Sequence, residues 1–243
     1  MTDNHSGNSG RASFRGQFPT EAARLLAKYG LVVEIFLVLF ILLFWQSVLI
    51  TPLKILVVFF HEFSHALMAW ATGGSVSEFV LVAHQGGHIV SRGGSAFLIM
   101  SAGYLGSLLW GVVLYQAARR TSFDRYFLGG IGGALVAIAA LYGLGQYLMW
   151  FGFAMGGVFI AISIFLPNVV SDVILRIVGL VSMAYVPLDI LSDTITRSTM
   201  TSDAYNLGQK YFGGAMFWGG LWLVISVIVI GFVLRRTFID SRG

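Results

Sequence analysis

The chain has 243 residues, of which 57% are apolar and 11% are charged, and its mean hydropathy is +0.82. Soluble globular domains carry roughly 25% charged residues, so this composition excludes a soluble protein. The net charge of +4 does not indicate nucleic-acid binding, because the basic residues mostly flank apolar runs, as they do beside membrane spans. With no cysteine in the sequence, disulfides and thiolate metal sites are excluded. We therefore expect an integral membrane protein in contact with the lipid bilayer.

The N-terminal region differs from the rest of the chain. Residues 1–18 are rich in Ser, Gly, Asn and Arg, which predicts a disordered tail. Residues 19–243 are predicted to form a single transmembrane domain. It begins with a segment in which Arg24 and Lys28 lie four residues apart, a spacing that favours a short helix on the membrane surface.

Seven apolar runs follow, and each is long enough, or nearly so, to cross a hydrocarbon layer about 30 Å thick as a helix. They cover residues 31–50, 52–71, 95–117, 128–146, 148–166, 173–193 and 213–234. Only Gly143, Gly145 and Gln146 mark a turn between the fourth and fifth runs. The sequence therefore predicts an all-α bundle with six or seven transmembrane spans.

The basic residues leave the orientation in the membrane open. Those before the first run favour a cytoplasmic N-terminus. With seven spans, however, the arginines at 119–125 and 235–236 would then face outward, against the tendency of basic loops to stay inside. Either one apolar run is not a span, or one basic cluster departs from the tendency.

The segment at 73–94, between the second and third runs, has a different pattern. Two short runs with β-forming residues, 76–82 and 88–92, flank a turn at Gln85-Gly86-Gly87 and predict a β-hairpin. An exposed strand at membrane depth is costly unless protein covers it or it lines a wet cavity.

The second run contains the pattern H-E-x-x-H, with His61, Glu62 and His65. On a helix, histidines four residues apart lie on one face, so both imidazoles can reach one zinc ion at about 2.0–2.1 Å. Glu62 lies on the same side, where it can take a proton from water at the metal. The motif lies deep in an apolar run, where ionisable groups cost about 2.5–3.5 kcal/mol each and usually mark function.

Two histidines leave a catalytic zinc ion one protein ligand short, because such sites usually have three. Candidates for the third are His84 and His88 in the hairpin and the carboxylates of Asp189 and Asp193 near the end of the sixth run. If all seven runs span, Asp189 lies within about 4.5 Å of the depth of His65. This depth favours Asp189 as the ligand, with Asp193 supporting a ligand or replacing it.

Small residues recur at helical spacing in two runs. Gly103, Ser107 and Gly111 repeat every four residues in the third run, and Gly152 and Gly156 do so in the fifth. This spacing predicts close approach between helices around the site.

In several of these segments the chain resembles the site-two-protease superfamily of intramembrane zinc metalloproteases, especially its small B-like branch. The matching segments are His61-Glu62-Phe63-Ser64-His65, the glycine-rich segment 86–94, Ser101-Ala102-Gly103-Tyr104-Leu105-Gly106-Ser107, Asp189 with Asp193, and Ser202-Asp203-Ala204. The resemblance implies that His61, His65 and Asp189 bind zinc and that Glu62 is the general base. Better-known members have Leu-Asp-Gly at the third ligand, whereas Asp189 is followed by Ile190.

These observations lead to the hypothesis of a zinc metalloendopeptidase that hydrolyses peptide bonds of membrane-protein substrates within or next to the bilayer. The alternative is a non-proteolytic membrane protein, either an ion transporter or a protease relic that binds partners, using the same polar cluster. The absence of cysteine and of an organelle-targeting signal in the sequence favours a bacterial cytoplasmic membrane. Substrate identity and oligomeric state do not follow from the sequence.

Overall fold

The computed structural model describes residues 32, 34–196 and 202–240, so the predicted tail and surface helix at 1–29 lie outside the described residues. In chain order the elements are α1 (Glu34–Leu43), α2 (Thr51–Ala71), β1 (Ser75–Val82), β2 (Gly86–Arg92), α3 (Ala96–Arg120), α4 (Asp124–Tyr142), α5 (Tyr147–Phe165), α6 (Asn168–Leu191), a π-helical turn (Ser192–Thr196), α7 (Asp203–Lys210) and α8 (Gly214–Asp240).

Six of these helices are long and apolar enough to cross a membrane: α2, α3, α4, α5, α6 and α8. The predicted transmembrane bundle is thereby confirmed, with six spans in the described part of the chain. The first apolar run forms only the shorter helix α1 there, followed by turns over residues 44–50. The fourth and fifth runs are separate helices, and Gly145 supplies the positive φ of +75° in the turn between them.

Helices α2 and α3 pack side by side in opposite directions. Near the end of α2, the backbone N–H of Ser95 donates to Oγ1 of Thr72 at 3.0 Å, just before α3 begins. Further along, the ring of Phe60 in α2 stacks on Trp110 in α3, with 5.8 Å between the centroids. The connection between these antiparallel helices is the hairpin.

Helix α6 also runs antiparallel to α3. Early in α6, Arg176 donates to the carbonyl of Ala118 near the end of α3. Just beyond the end of α6, Asp193 accepts a hydrogen bond from the hydroxyl of Tyr104 near the start of α3. Helices α2 and α6 therefore run in the same direction and end beside the hairpin. We call this end of the bundle the hairpin face.

The opposite end of the bundle gathers the arginine clusters. Arg120 at the end of α3 donates to Asp240 at the end of α8 at 2.9 Å, and Arg119 lies 3.2 Å from Glu34 at the start of α1. The arginines at 119–125 and 235–236 therefore lie at the same end, which we call the basic face. With six spans, the two arginine clusters lie on the same side of the bundle, which agrees with the tendency of basic loops to stay inside.

The predicted hairpin is confirmed as an antiparallel pair of strands. Its register runs from Ser75 opposite Arg92 to Val82 opposite Gly86, with an irregularity between Val76 and Glu78. Phe79 of β1 is fully buried, and its ring lies 5.7 Å from that of Phe59 in α2. This contact holds the hairpin against the helix that carries the H-E-x-x-H motif.

A buried ion network holds α1 against α3 and α6. Oε1 of Glu34 lies 2.9 Å from Nη1 of Arg176 and 3.2 Å from Nε of Arg119. Nε of Arg176 also lies 3.0 Å from Asp172 in the preceding turn. Glu34 is only 5% exposed, so its charge depends on these arginines.

We expect Glu34→Ala to destabilise the fold by about 3 kcal/mol, because it leaves Arg119 with no remaining partner in this network. This is the low end of the range for breaking a buried pair, since Arg176 keeps Asp172. The matched control is Asp240→Ala, which removes an exposed partner of Arg120 and is expected to cost about 0–1 kcal/mol. The measurement is denaturant unfolding in detergent, and equal losses from both variants would contradict the structural role of Glu34.

Candidate metal centre

The middle of α2 presents the three residues of the motif on one face. Glu62 and His65 are each 5% exposed, and His61 is partly buried. The two imidazole rings have their centroids 4.7 Å apart and are nearly perpendicular. Both histidines direct Nε2 toward the same point beside α3, as the helical spacing predicts.

A carboxylate from α7 completes this cluster. Oδ2 of Asp203 lies 2.9 Å from Nε2 of His61 and 3.0 Å from Nε2 of His65. Ligand atoms around a tetrahedral zinc ion at ~2.1 Å are separated by about 3.4 Å, so small movements would fit the three atoms to a metal. Within the described residues, no other group of three or more His, Asp or Glu side chains brings its ligand atoms this close together.

Local sequence explains why Asp203 sits at this point. Ser202 caps α7, and its hydroxyl accepts a hydrogen bond from the backbone N–H of Tyr205 at 3.2 Å. Asp203 is then the first residue of the helix, where the helix dipole favours an acid. Ala204 and Leu207 are buried on the inner face of α7 and fix its position against the bundle.

The two imidazoles also determine the charge of Asp203. Burial by itself raises the pKa of this carboxyl group, but the nearby His65 and His61 outweigh burial and hold the pKa below its ordinary value. Asp203 is therefore a carboxylate anion, the form in which it binds a metal ion.

The hydrogen bonding of His65 is that of a metal ligand. Its Nδ1–H donates a hydrogen bond to the carbonyl oxygen of Ile99, with 2.6 Å between the nitrogen and the oxygen. In the neutral ring, Nε2 then carries a lone pair and faces the carboxylate oxygen of Asp203. Without a metal, a proton on Nε2 bridges the 3.0 Å to Asp203, and a bound divalent cation would take the place of that proton.

The space beside the imidazoles exists because residue 103 is glycine. A Cβ at Gly103 would collide with Nε2 of both His61 and His65. The backbone of α3 at position 103 therefore borders the metal centre directly, with no side chain in between. The donor set of two imidazoles and one carboxylate is one that zinc accepts, so the residues present fit this metal.

Glu62 lies between the metal centre and the hairpin. A Cβ added to Gly87 of β2 would be 2.9 Å from Cγ of Glu62 and 3.1 Å from its Oε1. The glycine in β2 thus allows the carboxyl group to pack against the backbone of the strand. From there Glu62 borders the same cavity as the two histidines.

This cavity has a volume of about 440 Å³ and opens among α2, α3, α6, α7 and β2. Asp189 and Asp193 line it, but neither belongs to the group formed by His61, His65 and Asp203. Asp193 accepts a hydrogen bond from Tyr104, whose ring meets His61 edge-on at 4.8 Å.

The two hairpin histidines have different positions. His88 of β2 is exposed and lines the cavity, whereas His84 is exposed in the turn and is not among the residues that line it. Neither belongs to the group of convergent metal-binding atoms.

The segment Ser202-Asp203-Ala204 is part of the resemblance, but the depth argument favours Asp189 as the ligand. That argument applies to carboxylates inside apolar runs, and Asp203 lies ten residues after the sixth run, which ends at residue 193. The signal for Asp203 in the sequence is a serine that can cap a helix, followed directly by an acid.

A family model described as Peptidase M50B-like matches residues 34–233, which is most of the chain. The chain belongs to this family. The M50B-like family is part of the site-two-protease group, so the resemblance drawn from the motifs is confirmed. Membership and the six spans identify an integral membrane protein of a metalloprotease family. Neither a curated protein nor a solved structure matches the chain.

For this M50B-like protein we expect Gly103→Ala to weaken zinc binding roughly 10- to 100-fold, the loss typical when groups that orient metal ligands are disturbed. The added methyl group pushes the imidazoles apart without removing a ligand. Gly133→Ala in α4 is the control, because a Cβ there meets no atom within 4 Å. Zinc per chain in detergent-purified protein is the measurement, and full zinc in Gly103→Ala would contradict the geometry.

Proposed function

We propose that this protein is a zinc-dependent intramembrane endopeptidase that cuts peptide bonds of membrane-protein substrates. In this proposal His61, His65 and Asp203 hold the metal, so Asp203 takes the role that the resemblance implied for Asp189. The observation that carries the proposal is the approach of Oδ2 of Asp203 to both imidazoles, at 2.9 and 3.0 Å, inside a bundle of membrane spans.

When bound, zinc supplies a Lewis acid that polarises a peptide carbonyl and makes water more acidic. Glu62 is the general base in this proposal. It follows His61 directly, is buried, and borders the cavity on the side of β2. From this position it accepts a proton from the attacking water and passes the proton to the leaving amine.

The hairpin supports a peptide-binding role for the cavity. The sheet in the described residues has two strands, and the residues of β2 that line the cavity include Gly86, Gly87, His88, Ile89 and Ser91. A substrate helix must unwind before cleavage, because its carbonyl groups are occupied by hydrogen bonds. An unwound segment pairs with a strand edge through its backbone, which suits varied sequences.

The position of the site supports cleavage in the half of the bilayer next to the hairpin face. His65 lies six residues before the end of α2 at Ala71, which corresponds to about 9 Å along a helix. His61, ten residues from either end, and Glu62 therefore lie at the middle of α2, and His65 lies nearer the hairpin face.

We expect Glu62→Gln to keep zinc and to abolish cleavage. The amide has nearly the shape of the carboxylate, but it does not accept the proton from water, so the rate falls by about 10²–10⁴-fold or more. The measurement pairs zinc content with cleavage of membrane proteins, found by comparing the membrane proteome of the variant strain with its parent. A Glu62→Gln protein that still processes the same substrates would remove Glu62 from the mechanism.

The third ligand is tested by Asp203→Ala against Asp189→Ala, two identical changes within one cavity. We expect Asp203→Ala to lose zinc as His65→Ala does, and Asp189→Ala to retain it. Zinc loss only in Asp189→Ala would return the role to Asp189. Purified wild-type protein without zinc would instead support the non-proteolytic alternative, a transporter or a protease relic.

A further inference from the structure

A second cavity lies on the side of α2 that faces away from the metal centre. It has a volume of about 340 Å³, within the range of about 300–1,000 Å³ typical of small-molecule pockets. Ten residues of α2, α3 and α4 line it: Phe59, Phe60, Phe63, Trp110, Leu114, Tyr126, Phe127, Gly130, Ile131 and Ala134. We call it the apolar groove, since only the hydroxyl of Tyr126 and the indole nitrogen of Trp110 are polar side-chain groups.

The walls of the groove follow helical spacing. Phe127, Gly130, Ile131 and Ala134 recur every three or four residues and form one face of α4. Gly130 is exposed, and a Cβ added there would meet no atom within 4 Å. The groove is therefore open at this glycine, and it has room for a flexible hydrocarbon chain rather than for a helix about 10 Å wide.

One end of the groove carries a positive charge. Tyr126 lines the groove, and the guanidinium group of Arg125 lies 4.9 Å from the centre of its ring and donates to its hydroxyl at 3.0 Å. Arg125 is exposed, and no carboxylate within the described ranges forms an ion pair with it. The adjacent Asp124 is buried and accepts a hydrogen bond from Asn168 instead.

This charged end lies at the basic face, where α4 begins just after α3 ends. Its partner should therefore combine a negative headgroup at the membrane surface with an apolar tail that reaches toward the bilayer centre. Arginines beside transmembrane helices bind such headgroups. An inorganic phosphate ion matches Arg125 but makes no use of the groove.

We propose that the apolar groove is a binding site for one anionic phospholipid, with an acyl chain against α2 and α4 and the phosphate group at Arg125. The acyl chain would contact Phe59, Phe60 and Phe63, which lie on the opposite side of α2 from His61 and His65. The phospholipid would thus support the helix that carries the metal ligands. This inference is independent of the proposed protease activity.

The test is native mass spectrometry of the full chain in detergent, titrated with phosphatidylglycerol or with phosphatidylcholine of the same acyl chains. We expect one tightly bound phosphatidylglycerol and weaker binding of phosphatidylcholine. Gly130→Leu should reduce the affinity at least tenfold, because its side chain fills the groove. Gly133→Leu is the matched control, since position 133 is equally open but is not among the lining residues.

The charge is tested separately with Arg125→Gln, which should weaken phosphatidylglycerol binding roughly fivefold and bring it close to that of phosphatidylcholine. Arg236→Gln is the control, because Arg236 also lies over an aromatic ring, Phe232, at the same face. Equal binding by Gly130→Leu and wild type would overturn the site. Equal loss in Arg125→Gln and Arg236→Gln, or crosslinking of a protein helix into the groove, would also overturn it.

Discussion

The close approach of α2 to α3 at two glycines is the contact on which the rest of the structure depends. His61 and His65 lie against Gly103, so a side chain there would displace the two imidazoles, and Ser64 lies against Gly106, so a side chain there would collide with the Cβ of Ser64. Between helices in lipid, small residues and hydrogen bonds supply the attraction that burial of apolar surface supplies in water. The packing of the bundle and the placement of the metal ligands are therefore set by the same contact.

The apolar surroundings of the bundle also constrain its buried charged groups. At the hairpin face, the carboxylate of Asp203 is balanced by the two imidazoles it approaches. At the basic face, Glu34 is balanced by Arg119 and Arg176. Between these clusters α3 and α6 meet through small residues, where the carbonyl of Ser107 accepts from the hydroxyl of Ser182 at 2.8 Å. In both clusters the carboxylate has nitrogen partners within 3.2 Å, as an apolar environment requires.

Much of this arrangement could be predicted from the sequence, because the signals were local. Apolar length predicted the spans, glycines predicted the hairpin and the break near Gly143, and the spacing of His61 and His65 predicted one face of a helix. The position of the third carboxylate is not a local property. The sequence predicts nearly the same depth for Asp189 and His65, but depth does not determine the distance across the bundle, and α7 places Asp203 beside the two histidines. That approach depends on the connection after α6, which no periodicity in the sequence describes.

In the proposed centre, one metal ligand lies on the short capped helix α7, which affects how firmly that ligand is held. A ligand in the middle of a span shares the contacts of that long helix, whereas α7 has eight residues and packs on α8 and α3, with Ala204 and Leu207 buried. Helix α2, in contrast, has buried residues along most of its length and packs against α3, α6 and both strands of the hairpin. In the proposed centre, two ligands thus lie on a long buried helix and the third on a short one. A metal held by Asp203 would add a connection between α7 and α2 and would close one wall of the cavity.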